Sequence, residues 1–202
     1  MVNRHHAFGK EEYSILDNVI FSRRKRQVVK KLPDKPSVVA DFGSGYDCRL
    51  LLQILEERAE VSAIAVDTEF HPNLGQVEGL QLVTGNLNQP IASLPDASID
   101  VALSLAVLEH LDAPDVFAKE VYRTLRPGGV LLLTTPGPTS KPLLEFLAYK
   151  LGVIDEYEIR DHKHYFSSQD LEDTFSAAGF TPEKIEAKTF IFGMNNILKV
   201  VK

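Results

Sequence analysis

The stretch Ser37-Val38-Val39-Ala40-Asp41-Phe42-Gly43-Ser44-Gly45-Tyr46-Asp47 decides how the rest of the chain is read. Its β-branched apolar run over Ser37–Asp41 predicts a short buried strand that ends on a carboxylate. Two glycines one residue apart follow at once, and Arg49–Arg58 then carries Leu and Ile at helical spacing. Glycine lets backbone approach a ligand closely, and the first turn of a helix leaves N–H groups unsatisfied. A strand, a glycine loop and a helix in that order therefore predict a seat for a nucleotide or an amino-acid carboxylate. Taken alone the glycine pair has a plainer use, since a tight strand-to-helix turn needs small residues for steric reasons.

Outward from this loop, strand-like and helix-like segments alternate. Further strands are expected at Val61–Val66, Leu80–Val83, Ile99–Leu103 and Val130–Thr135, the last stopped by Pro136. A helix over Asp112–Leu125 should end at the turn Arg126-Pro127-Gly128-Gly129. Strands separated by helices demand crossover connections, hence a doubly wound, mainly parallel sheet covered on both faces: an α/β, Rossmann-like fold. Lys184–Phe192 and Asn195–Val201 read as two strands joined by Gly193, which would complete a seven-stranded sheet with an antiparallel C-terminal hairpin. Upstream, Glu11–Leu32 has helical periodicity and is closed by Pro33, making residues 1–36 a helical cap. Its basic run Arg23-Arg24-Lys25-Arg26 reads as a solvated face in preference to an anionic contact surface. Residues 137–163 form an insertion with apolar Phe146, Leu147, Tyr149, Leu151 and Ile154, suited to a helical lid that is also part of the core. The whole chain is expected to be one domain, ending at the hairpin with no separate substrate domain.

Composition narrows the function classes. The 202 residues suit one α/β domain, and 28 acidic against 22 basic side chains give a net charge of −6. That balance removes the usual electrostatic argument for a nucleic-acid partner. No apolar run has the length of a transmembrane segment, and Met1–Lys10, with His5 and His6, lacks the apolar core of a signal peptide. One cysteine, Cys48, excludes an internal disulfide and fits a reducing compartment, so the expected address is cytoplasmic. Nothing in the sequence fixes an oligomeric state.

A second signal strengthens the first. Asp67 ends the apolar strand Ala63-Ile64-Ala65-Val66, and a carboxylate at the tip of a second strand can accept both hydroxyls of a ribose. As a lone residue, Asp is as often a turn former. Paired with Gly43 and Gly45 it speaks for a nucleoside-bearing cofactor. The fingerprint of a dinucleotide oxidoreductase asks for a third glycine where Cys48 stands, so that class is rejected.

Val39-Ala40-Asp41-Phe42-Gly43-Ser44-Gly45 resembles the first motif of class I S-adenosylmethionine-dependent methyltransferases. Ile99-Asp100-Val101-Ala102-Leu103-Ser104 is similar to that family's fourth strand, and Val107-Leu108-Glu109-His110-Leu111 to the helical segment after it. Leu125-Arg126-Pro127-Gly128-Gly129-Val130-Leu131 resembles the turn into the fifth strand. His164-Tyr165-Phe166, Leu171 and Ala178-Gly179-Phe180 resemble the late helix and the turn after it. The resemblance runs from about Ser37 to the end, nearest the small-molecule branch. It implies S-adenosylmethionine as cofactor and a small-molecule acceptor. It implies that Asp41, Gly43, Ser44 and Gly45 shape the methionine end of the pocket, and that Asp67 holds the ribose. Thr68 would lie beside the adenine, Asn86 and Leu87 would meet its edge, and Ser104 and Leu105 would wall the sulfonium. Two residues depart from the pattern. Asp47 stands where a third glycine is frequent, and Asn86 replaces an aspartate, so its oxygen would accept from the adenine amino group without charge assistance.

Methyl transfer from a sulfonium needs alignment and exclusion of water more than a nucleophile, and a base only if the acceptor must lose a proton. His110, just past the fourth strand, is one candidate base; packing against a loop is its plainer role. His164 is the other, within the cluster Asp161, His162, His164 and Tyr165. If that segment is extended, His162 and His164 share a face. The sequence shows no further ligands at metal-site spacing, so no metal is expected. A non-catalytic S-adenosylmethionine-binding protein and a protein methyltransferase remain as alternatives.

Overall fold

The computed structural model describes residues 15–32, 37–58, 60–150, 156–190 and 193–202. His5, His6, residues 11–14 of the expected first helix, Pro33, Leu151, Ile154 and the last two residues of the expected sixth strand lie outside them. Helix α1 spans Ile15–Val29, followed by β1 (Val38–Phe42), α2 (Arg49–Glu57), β2 (Ser62–Asp67), β3 (Leu80–Thr84) and β4 (Ile99–Leu105). Then come α3 (Pro114–Thr124), β5 (Leu125–Pro136), α4 (Lys141–Tyr149), α5 (Glu156–Arg160), α6 (Ser168–Ala177), β6 (Ile185–Phe190) and β7 (Asn195–Val201).

The strands form one seven-stranded sheet in the order β3-β2-β1-β4-β5-β7-β6. The pairings among β1 to β5 are parallel, whereas β7 lies antiparallel between β5 and β6. Side chains alternate faces along a strand, so each central strand feeds two cores. On β5, Leu131 and Leu133 enter the cluster that holds Phe42, Phe117, Phe175 and Phe180. Val130 and Leu132 enter the opposite one, with Val28, Leu50, Leu51 and Ile54. Helix α2 is thus amphipathic by arrangement: Leu50, Leu51 and Ile54 are buried while Glu56 and Glu57 are exposed. Helix α6 starts on a capping box, with Ser167 accepting from the Asp170 N–H and Asp170 from the Ser167 N–H.

One boundary differs from the sequence expectation. The turn Arg126–Gly129 is not a separate loop before β5 but part of it, because β4 and β5 slip register between Ile99 and Val101 and the extra residues are absorbed there. Asp100 at this slip is buried; its Oδ2 accepts from the Ser37 and Val38 N–H groups at 2.6 and 2.8 Å, and Arg126 pairs with its Oδ1 at 2.5 Å. The segment Val107–Leu111 is a single turn of 3-10 helix at Leu108–His110. No helix among the described residues is long and apolar enough to cross a membrane.

Candidate active site

The order in which strands are added reverses between β1 and β4, which lie side by side and parallel although β2 and β3 intervene in sequence. Ligands of open α/β sheets bind outside the carboxyl ends of the strands at such a point. Here that edge collects the loop after β1, the tip of β2 and the turn after β4.

Asp67 closes the first half. Its Oδ2 accepts the Gly45 N–H at 2.9 Å, and its Oδ1 accepts the Thr68 N–H at 2.6 Å and hydroxyl at 3.3 Å. The carboxylate therefore ties the glycine loop to β2, and the Gly43 and Ser44 N–H groups add bonds to the Val66 carbonyl at 2.8 and 3.3 Å. Beside it Asp41 is 3% exposed, and its Oδ1 has no hydrogen-bond partner among the described residues. Burial first, and the Asp67 charge second, push the Asp41 carboxyl up to about 7.

The two glycines do different work. Both have positive φ, +81° at Gly43 and +76° at Gly45. A Cβ on Gly43 would meet Val107 Cγ2 at 2.3 Å, whereas one on Gly45 would meet nothing within 4 Å. The first glycine is thus required by protein packing; the second opens onto free space, where a ligand can come against backbone. Cys48, in the position of the absent third glycine, also takes a left-handed backbone (φ 48°) as it starts α2. Burial pushes its thiol up to about 11, so it is a poor nucleophile.

The expected adenine side is less simple. Asn86 Oδ1 already accepts from the Asn88 N–H at 3.0 Å and side-chain amide at 3.1 Å, which uses both its lone pairs within the loop. Asn88 in turn accepts the Asp112 and Ala113 N–H groups at 2.7 and 2.9 Å, tying the loop after β3 to the start of α3. Leu87 is 8% exposed and belongs to the Phe42 core cluster. Ser104, at the end of β4, is fully buried with its Oγ unpaired among the described residues, and Leu105 follows half-buried.

The second half of the edge is built across a long sequence gap. Glu109 is fully buried, and its Oε2 accepts the Thr135 hydroxyl of β5 at 3.0 Å. Its carbonyl accepts the Lys163 and His164 N–H groups at 2.8 and 3.2 Å, drawing that segment onto the turn after β4. His110 Nδ1 lies 3.1 Å from Asp161 Oδ2 and 3.3 Å from the Asp161 carbonyl. The His110 ring stands edge-on to His162 at 4.9 Å, and His162 Nδ1 is 3.2 Å from the Tyr165 hydroxyl. One donor atom each of Glu109, His110 and His162 falls within a 4.8 Å span. His164 packs against Phe166 at 5.5 Å. The histidines expected to share a face therefore have different neighbours, and His110 replaces His164 as the companion of His162. Thr135 and Asn88 carried no site signal in the sequence, and Glu109 and Asp161 stood in a motif and a cluster without their partners, because each acquires its neighbour only through the fold.

A family model described as a methyltransferase domain matches residues 14–185. The chain belongs to that family. Over 101 residues it is 36% identical to a "probable S-adenosylmethionine-dependent methyltransferase" of Mycolicibacterium smegmatis, covering 47% of this chain and 38% of that one. Over 134 residues it is 27% identical to the malonyl-[acyl-carrier protein] O-methyltransferase of Halalkalibacterium halodurans, covering 61% and 49%. The match thus spans half or less of either relative. Among solved structures, an S-adenosylmethionine-dependent methyltransferase from Archaeoglobus fulgidus superposes with a TM-score of 0.67 at 16% identity, covering 92% of this chain and 94% of that one, a likeness of fold. The cofactor that goes with the family is S-adenosylmethionine.

Proposed function

We propose that the chain transfers a methyl group from S-adenosylmethionine to a small-molecule acceptor, in the cytoplasm. The observation that carries this reading is the unpaired, buried Asp41 Oδ1 beside the open face of Gly45 and the Asp67 carboxylate. A buried carboxylate without a partner is costly unless a cation or donor meets it. The ammonium of the cofactor's methionine portion is such a group. Asp67 has lone pairs left beyond its loop bonds and would hold the ribose hydroxyls. Gly43, Ser44 and Gly45 would shape the methionine end, Thr68 would flank the adenine, and Ser104 and Leu105 would border the reacting methyl. With Asn86 committed to Asn88, adenine recognition falls to the loop backbone and to shape.

When bound, the cofactor supplies an already activated methyl group, so the chain's task is to align the acceptor and exclude water. For an acceptor that must lose a proton, His110 is the better-placed base, because Asp161 at its Nδ1 fixes the ring. His164, against Phe166, is the second candidate. Helices α4 and α5 would cover the acceptor: Ala148 and Ile159 pack them together while Leu143, Phe146 and Tyr149 stay exposed.

Calorimetric titration of the purified protein with S-adenosylmethionine, S-adenosylhomocysteine and NAD in parallel tests the reading. Micromolar binding of the first two without NAD is the expected result. Binding of NAD alone overturns it.

A further inference from the structure

We propose that Glu109, His110 and His162 form a binding site for a zinc-class divalent cation at the acceptor end of the pocket. Two imidazoles and one carboxylate are a donor set that borderline cations select, and their ligand atoms lie within 4.8 Å of one another. They come from two segments, the turn after β4 and the stretch after α5, which the bonds from Lys163 and His164 to the Glu109 carbonyl hold together.

The surroundings carry the argument further than the triad itself. Imidazoles that bind metal engage their other ring nitrogen with a carboxylate, carbonyl or comparable acceptor, which fixes the ring and its tautomer. Both histidines here have such a partner on Nδ1: Asp161 Oδ2 and carbonyl for His110, and the Tyr165 hydroxyl for His162. The carboxylate is held as well, with the Thr135 hydroxyl donating to Glu109 Oε2. Each of the three donors thus has an outer partner that orients it. Glu109 is buried, and a carboxylate in a low-dielectric place is where a dication gains most.

Three protein ligands are one short of the tetrahedral set, and a fourth position then belongs to water or substrate. The site stands on the turn that follows β4, one strand's end from Ser104. Resting on the methyl-transfer reading, this makes the acceptor one that presents a hydroxyl or carboxylate oxygen to the cation. A hydroxyl on such a cation would give its proton to solvent water near neutral pH with no side-chain base, and its oxygen would bond the methyl carbon as the sulfonium C–S bond breaks. His110 would then serve as a ligand, and the base role given to it above would lapse.

The test uses the full chain, freed of metal with a chelator, in a His5→Gln, His6→Gln background so that the adjacent N-terminal imidazoles contribute no signal. Zinc chloride and magnesium chloride are titrated calorimetrically into this protein and into its Glu109→Gln, His162→Gln and Asp161→Asn variants. S-adenosylhomocysteine is titrated into each as a separate readout of fold and cofactor pocket. The expected result is one zinc per chain, with magnesium much weaker. Glu109→Gln and His162→Gln should weaken zinc more than about 10-fold, the lower end of what even an outer-partner change such as Asp161→Asn costs. S-adenosylhomocysteine binding should be unchanged throughout. No saturable zinc binding tighter than about 100 μM, or binding that the variants leave intact, overturns the site while S-adenosylhomocysteine still reports on the cofactor reading. Zinc bound at the triad with S-adenosylhomocysteine silent would keep the site and sink the methyl-transfer role assigned to it.

Discussion

The two halves of the sheet's carboxyl edge are built differently. In the half proposed to hold the donor, the loop after β1 is bonded to the tip of β2 through the Gly45 N–H and the Gly43 N–H, so its shape is set by adjacent parallel strands. In the half proposed to hold the acceptor, Glu109 and His110 meet Asp161 and His162 only because three helices and a strand fold back between them. A donor common to many reactions suits a rigid, locally encoded cradle. An acceptor particular to one reaction suits a surface assembled from insertions, which change without disturbing the sheet. If this contrast is sound, substitutions in the donor half cost both fold and binding, and those in the acceptor half cost little of either.

The largest effect is expected at Gly43. Gly43→Val places a branched side chain on a positive-φ residue and against Val107, combining backbone strain with overpacking at a cost of about 3–5 kcal/mol. Thermal unfolding should drop by about 10 °C or more, with S-adenosylhomocysteine binding lost. Gly45→Ala meets no atom and carries only the backbone strain of a side chain at φ +76°, about 1–2 kcal/mol, so it should lose less stability than Gly43→Val while also losing affinity. Equal unfolding temperatures for the two variants would erase the distinction between a packing glycine and a ligand-facing one. Asp67→Ala comes next: losing a charged hydrogen-bond acceptor should weaken cofactor binding by roughly 10- to 100-fold. A wild-type titration curve would remove Asp67 from the pocket.

Asp41 gives the comparison a pH axis. Its folded pKa, about 7, stands above the usual 3.8, so the folded protein binds the extra proton between those values. Stability contributed by this group is therefore full at low pH and is lost as pH rises from about 4 to about 7. Asp41→Asn should flatten that slope in melts of the cofactor-free protein. Cofactor binding should run the other way, weakening below pH 7 as the carboxylate proposed to meet the ammonium is protonated. A pH-independent affinity would break the pairing.

What the sequence made legible follows the same division. The strands were legible because buried parallel strands carry continuous β-branched and aliphatic runs, and Asn195–Val201 fell where expected. Asp67 was legible because a strand tip fixes where its side chain points. Gly43 was read both as a pocket residue and as a steric need of the turn, and the particular neighbour, Val107, reaches it only in three dimensions. Asn86 offered an oxygen to adenine in sequence, and only the loop geometry shows Asn88 taking it. The turn before β5 was read as a break because proline and glycine punctuate it, and pairing across a register slip overrode that local signal. Glu109 was visible as a motif residue, but its association with His162 depends on backbone bonds from Lys163 and His164 that no periodicity announces.

The smallest effect is expected in α4, and it is the sharpest test of the contrast. Phe146 is 51% exposed and Leu143 42%, and both project from the same side of a helix whose opposite side packs Ala148 onto Ile159. Exposed apolar side chains contribute little to a folded core, so Leu143→Ser with Phe146→Ser should shift stability by no more than about 0.5 kcal/mol each. Titration with S-adenosylhomocysteine should be unchanged, since neither residue belongs to the donor cradle. A large loss of stability would mean that α4 is part of the core and not a cover. A large loss of cofactor affinity would mean that the two halves are coupled, with the cover closing over donor and acceptor together. An unchanged protein leaves α4 free to vary with the acceptor, and makes these two positions the first to alter in changing acceptor preference.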